Sequence, residues 1–179
     1  MIINGYEIKP EANMPRANMP RANLSKVDLS GANMTEANMT EANMTGANMS
    51  RANLSKVDLS GANMLGANLS KVYLLGANLS WANMTGANMM GANLFRANLS
   101  GATIGAHKVI NLVARAGRTD GYEFLIFRTN LGHIIRAGCR TMTLAEYREY
   151  VKRYPDPGKV RETTDILDYL EKILLREGF

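Results

Sequence analysis

From residue 12 to residue 105 the apolar positions recur with a strict period of five. Each unit carries a small apolar residue, a polar residue, a large apolar centre and two small or polar residues. Centres fall at Met14, Met19, Leu24, Leu29 and every fifth position to Ile104, which makes 19 units. The residue two before each centre is Ala, except for Val27, Val57 and Val72; the residue between is Asn, except for Asp28, Asp58, Tyr73 and Thr103. Neither a helix of 3.6 residues per turn nor a two-residue strand alternation generates a period of five. A short strand followed by a corner does. The small and the large apolar group then both face inward, and alternating their sizes fills a narrow interior without voids.

These units, of the form A-(N/D)-L-x-x, resemble the pentapeptide-repeat family. The resemblance implies a mainly β chain whose rod is a right-handed quadrilateral parallel β-helix of four units per coil, about 20–25 Å long at roughly 4.8 Å per coil. Residues 20 apart should then stack. The column Arg16, Glu36, Lys56 and the column Arg21, Glu41 place opposite charges above one another, as that register requires. Residues 1–11, ending at Pro10 and Glu11, read as an N-terminal cap, 12–105 as the rod, and 106–179 as a separate α+β module. The segment at 21–34 recurs unchanged at 51–64, an offset of one and a half coils. The two copies fall on opposite sides, which argues against a joint role for Lys26 with Lys56 or Asp28 with Asp58.

Large apolar groups stand at outward positions late in the rod: Leu65, Tyr73, Leu75, Trp81, Met90 and Phe95. They read first as the seat of the C-terminal module. The alternative is a surface for self-association, giving a homodimer, or for a partner protein.

Beyond Gly105 the fivefold period stops. Val109–Ala116 and Tyr122–Thr129 read as strands joined by a Gly-Arg-Thr-Asp-Gly turn, and His133–Arg140 as a third strand after Asn130-Leu131-Gly132. Thr143 and Glu146 have capping-box spacing and open a helix to about Arg153. Tyr154-Pro-Asp-Pro-Gly158 breaks it. A second helix over 161–176 carries the apolar stripe Ile166, Leu167, Leu170, Ile173 and Leu174. Alternation assigns Ile110, Leu112, Ala114, Leu125, Phe127, Ile135, Ala137 and Cys139 to a face under the helices. The opposite face receives Asn111, Val113, Arg115, Tyr122, Phe124, Ile126, Arg128, Ile134, Arg136 and Arg140. Arg115, Tyr122, Arg128, Arg136 and Arg140 on that face form the candidate ligand site. They would take a nucleotide or another anionic small molecule, unless they form a solvated face or dock on the rod. This segment resembles a small C-terminal module of bacteriophage and prophage pentapeptide-repeat proteins, which implies action on a host system and brings no catalytic assignment.

The net charge is +5, and residues 1–105 hold eight Lys/Arg against six Asp/Glu. Gyrase-protecting pentapeptide proteins are acidic DNA mimics; this rod is not a line of negative charge. Weak nucleic-acid binding by the basic module stays open. There is no apolar run of membrane-spanning length, and the start lacks the basic and apolar regions of a secretion signal. One cysteine, Cys139, excludes an internal disulfide and fits a cytoplasmic protein, where it reads as a core thiol. His107 and His133 have no metal-ligand spacing, and no phosphate-binding loop or nucleophile motif occurs. No cofactor and no metal are expected. The sequence points to a non-catalytic scaffold that binds a host protein, with a plain structural spacer as the dullest reading.

Overall fold

The structure is a computed structural model that describes residues 1–119, 123–137 and 140–176, without the side chains of 111–115, 117, 123, 137 and 140. From Asn13 to Thr103 the chain returns beside itself every 20 residues, with parallel bridges such as Asn13↔Asn33, Asn53↔Tyr73 and Asn83↔Thr103. The Met14 amide donates to the Asn33 carbonyl (2.7 Å), the Arg16 amide to that of Thr35 (2.8 Å), and the Asn33 amide back to Ala12 (2.8 Å). The same three bonds repeat up the rod, so backbone groups at mid-rod are paired without either strand being long.

Corners explain the last two residues of each unit. The Ala17 amide closes a four-residue turn on the Met14 carbonyl at 3.2 Å. Arg16, third in that turn, has φ +58°. Positive φ at the third position, with Pro15 at the second, is the type II pattern. Left-handed backbone costs a residue with a Cβ roughly 1–2 kcal/mol, yet Arg16, Lys26, Trp81 and Arg96 adopt it alongside Gly31 and Gly46. The asparagines hold the corner in place. Asn33 Oδ1 accepts the amide and hydroxyl of Thr35 (3.2 and 2.8 Å), while its Nδ2 donates to Asn13 Oδ1 one coil down (2.9 Å).

Inside, the centres and their alanines are dry: Met19, Leu24, Leu59 and Leu79 are fully buried. Outside, Arg16 Nε meets Glu36 at 3.0 Å, Lys56 Nζ meets it at 3.3 Å, and Arg21 meets Glu41 at 2.9 Å. Both expected charge columns form. Arg16, and after it Lys56, hold the Glu36 carboxyl below the ordinary carboxylate range.

Strands β1 (Ile2–Ile3) and β2 (Tyr6–Glu7) form a hairpin through Asn4 and Gly5, both at positive φ, as a two-residue Asn-Gly loop demands. Ile8 is buried at this end of the rod, with Ile3 and Tyr6 packed against it.

At the other end β3 (Thr103–Ile104) turns at Gly105 into β4 (His107–Gly117), followed by β5 (Glu123–Thr129), β6 (Gly132–Ala137) and β7 (Arg140–Met142) in one sheet of that order. Residues 138 and 139 are outside the described set, so the reading of Cys139 lies there too. Helix α1 (Leu144–Val151) starts on the Thr143/Glu146 capping box. Helix α2 (Pro157–Arg176) begins four residues before the sequence reading placed it. Asp156 Oδ1 accepts the amides of Gly158 (2.9 Å) and Lys159 (3.2 Å), and Pro157 has no amide to strand in the first turn.

The sheet is covered on both faces. Phe124, Ile126 and Ile135 pack with Tyr147, Val151, Leu167 and Leu170 of the helices. Val109, Leu125, Phe127 and Ile134 join the core of the rod. This corrects the assignment for β5, where Leu125 and Phe127 face the rod and Phe124 and Ile126 the helices, while Ile135 under the helices and Ile134 opposite stand as expected. A loop of two residues, Asn130-Leu131, joins Thr129 to Gly132, so Phe127 pairs with Ile134 and Leu125 with Arg136. A three-residue turn shifts the register by one, and a one-residue slip exchanges the two faces. Ile110, placed under the helices by alternation, is exposed; register shifts at 109/111 and 112/114 break the alternation along β4.

Leu59→Ala should lower stability by about 2–5 kcal/mol in urea denaturation, since it opens a cavity in a dry, stacked interior. A Cβ at Gly101, where φ is +72°, would stand 2.7 Å from Trp81 Cε3. Gly101→Ala should therefore cost about 1–3 kcal/mol, and adding Trp81→Ala should recover only the steric share. Because Glu36 is depressed, its column contributes above the unfolded carboxylate pKa and loses that contribution as pH falls through the lowered folded value. In acid titrations monitored by circular dichroism, Glu36→Gln should lack this component of the stability loss.

Candidate functional site

Of the candidate arginines, Arg128 and Arg136 do not share one open face. Arg136 is buried between sheet and rod, and its Nη1 donates to Thr141 Oγ1 at 3.0 Å. Arg128 is exposed, opposite His133 in the ladder. Arg115 stands opposite Leu125, in the row that continues to Arg136. Arg140 stands opposite Ala137, one row on, in the row of Phe124. The side chains of Arg115 and Arg140, and the whole of Tyr122, lie outside the described residues. The alternation reading missed Arg118, which is buried, donates to Thr163 Oγ1 at 3.2 Å and lies 5.8 Å from the Tyr154 ring centroid. Neighbouring Thr119 meets Glu162 with its amide (2.6 Å) and hydroxyl (3.1 Å). No periodic signal marks these two, because their partners come from α2.

The late apolar groups of the rod remain uncovered. The module sits on the end of the rod, so Tyr73 (55% exposed), Leu75 (39%) and Phe95 (53%) keep their outer surfaces. The period of 20 divides the six. Tyr73 replaces an asparagine on the side that holds Asn33, Asn53 and Asn93. Leu75 and Phe95 take the serine or threonine position of the same side on successive coils, where the Gly76 amide donates to the Phe95 carbonyl at 2.9 Å. Leu65 and Met90 point from two other sides. Trp81 occupies a further corner, where Lys108 Nζ lies 4.2 Å above its ring.

The Tyr73/Leu75/Phe95 side is framed by cations. The corner before it carries Arg51 and Lys71, the corner after it Lys56 and Arg96, all exposed. The Arg96 guanidinium lies 5.2 Å from the Phe95 ring centroid, and Lys56 also reaches Glu36 below. Between residues 42 and 110 the chain has five Lys/Arg and one acid, Asp58. The result is an apolar stripe with a basic rim, on a backbone held by ladders on both sides at Tyr73 and Leu75. Among the described residues no His/Cys/Asp/Glu group has the grouping to hold a metal ion, and no helix is long and apolar enough to cross a membrane.

Stacked corners and a dry interior define a repeat solenoid. Comparison with protein families supplies the class: Pentapeptide repeats (8 copies) match residues 11–40, 37–74 and 73–104, together over half the chain. The chain belongs to the pentapeptide-repeat family, whose members fold as right-handed β-helices and are generally non-enzymatic scaffolds, some of them binding proteins. A pentapeptide repeat protein from the Arabidopsis thaliana thylakoid lumen is similar at 28% identity and TM-score 0.53, covering 54% of this chain and 68% of that one. HetL, involved in heterocyst differentiation regulation in the cyanobacterium Nostoc sp. strain PCC 7120, is 32% identical, with TM-score 0.29 and coverage of 56% and 52%. Rfr23 from the cyanobacterium Cyanothece 51142 is 28% identical, with TM-score 0.30 and coverage of 57% and 86%. No curated protein matches the sequence.

Arg136→Ala should cost about 2–4 kcal/mol in urea denaturation, as truncation of a buried side chain does, while Arg128→Ala stays within about 0.5 kcal/mol. Equal small effects would show that Arg136 is not part of the packing.

Proposed function

We propose that the protein is a non-catalytic binding scaffold whose working surface is the Tyr73/Leu75/Phe95 side of the rod, and that its partner is a protein. The single observation behind this is the uncovered apolar stripe inside a basic rim, stacked over two coils, where the other sides carry at most a lone Leu65 or Met90 among asparagine, serine and threonine. Exposed apolar groups at successive coil positions contribute nothing to the interior, and clustered patches of this kind mark interfaces. The cations select an acidic partner surface and raise the encounter rate. The four-sided coil supplies rigidity, so little conformational entropy is lost on binding.

The resemblance of the C-terminal segment to phage and prophage modules supports a bacterial host protein as the partner and the host cytoplasm as the setting. Sequestration of an anionic small molecule has less support, since Arg136 is enclosed and Arg128 stands apart from it. Nucleic acid draws on the same cations, and steep weakening with salt would accompany it.

The test is comparative capture from bacterial lysate by the intact protein and by a Tyr73→Asn/Leu75→Ser/Phe95→Ser variant. These substitutions restore the residues of neighbouring units, so the thermal midpoint should hold. A partner retained by the parent and lost, by about tenfold or more, from the variant fits an interface carrying a few kcal/mol. Identical capture by both proteins removes this side of the rod from the reading.

A further inference from the structure

The repeat ends before its last coil is paired. Within the rod the Leu74 amide donates to the Asn93 carbonyl (2.8 Å), the Gly76 amide to Phe95 (2.9 Å), and the Asn93 amide to the Val72 carbonyl (2.9 Å). One coil further on, the equivalent groups are the Leu94 and Arg96 amides and the Ala92 carbonyl. Among the described residues none of these three has a backbone partner. The chain that would have reached them has turned at Gly105 and runs back as β4, where the Val109 carbonyl takes the Gly101 amide instead (2.7 Å). A groove of about 290 Å³ opens at the Leu94 and Arg96 end of this edge and continues past the corner, with Leu94, Ala97 and Leu99 among its apolar lining, Arg96 beside them and Ile110 on the β4 wall. It adjoins Phe95, the last member of the apolar stripe.

An unpaired strand edge is a template for another strand, and proteins cover such edges unless they use them. From this we infer that a partner adds an extended acidic segment here, as the missing strand of the next coil and parallel to residues 92–96. The inference rests on the protein-scaffold reading and adds the mode of binding. Coil geometry fixes the register. One guest residue donates its amide to Ala92 and offers its carbonyl to Leu94; the residue two further on offers its carbonyl to Arg96. Both point outward, as Asn93 and Phe95 do, while the residue between points inward over Leu94. Outward acidic and inward apolar groups therefore suit the site. The imbalance of five cations to one acid over 42–110 selects this guest, and it disfavours a second copy, which would bring the same cations to the same end.

The experiment uses the full chain and a fluorescein-labelled peptide of about nine residues that alternates valine and glutamate, followed by anisotropy. Methylating the glutamate amides blocks the bond to Ala92 and should weaken binding by about tenfold or more. Methylating the valine amides, which point away from the rod, should leave it near the parent value. Arg96→Glu should weaken binding comparably, and Lys26→Glu, near the opposite end, should not. Without peptide, the Leu94 and Arg96 amides should exchange hydrogen about a hundredfold faster than those of Leu74 and Gly76, and slow when peptide is added.

Equal effects of the two methylations, no binding of the unmethylated peptide, or tighter binding of oligothymidylate would each overturn strand addition. Lysate capture that depends on Tyr73, Leu75 and Phe95 would still stand in that event. If the methylation contrast holds while capture ignores those three residues, the edge is the site and the stripe is not.

Discussion

Outside its corner turns, this rod pairs its backbone only with the coils above and below, 19 or 21 positions away, and everything else follows from that constraint. A five-residue unit has no internal ladder; its bonds exist when coils lie above and below. Stability is therefore a property of the stack, and each coil contributes through its neighbours. The dry column of alanine, leucine and methionine sets the coil spacing that keeps the ladders straight. Interior and ladder depend on one another: the centres cannot be enclosed without the turns, and the turns are unsupported without the next coil.

The recurrent asparagine belongs to the same constraint. Its side-chain carbonyl takes the amide of the coming corner, and its amino group reaches the coil beneath, as Asn33 does with Thr35 and Asn13. Where Asp58 replaces it, the carboxylate still holds the Ser60 amide at 2.9 Å but has no proton to pass down. Tyr73 gives up both roles, and its ring faces solvent. That side has thus exchanged local hydrogen bonding for exposed apolar area, beside a rim of cations.

A solenoid has two ends, and the chain treats them differently. The Asn4-Gly5 hairpin and Ile8 cover the first coil with eight residues of local structure. The far end carries a sheet that puts Leu125, Phe127 and Ile134 against the last coil and Phe124, Ile126 and Ile135 against two helices. The sheet covers the apolar interior but leaves the edge at Leu94 and Arg96 unpaired. Closing an interior needs only apolar contact; closing an edge needs backbone in register, and β4 takes that register only as far as Gly101.

The repeat and its centres were legible in the sequence because a period of five is a local property; the coil of four units came from the resemblance to the pentapeptide-repeat family, and the two charge columns 20 apart test it directly. The capping box at Thr143 was legible for the same reason. The start of α2 was obscured by reading Pro157 as a breaker, when the first turn accepts it. The module's faces were not legible: one residue in the Asn130-Leu131 loop decides whether Arg136 lies on the rod side with Leu125 or on the helix side with Phe124. The stacking of Leu75 on Phe95 with Tyr73 beside them was legible, since folding the chain by 20 brings these three to one side and sends Leu65, Trp81 and Met90 to others. The sequence alone determined the rod, since every unit carries the same instruction and errors cannot accumulate. Only the tertiary structure decided what lies over the end of that rod and which backbone groups stay open, because those depend on how two unlike segments meet.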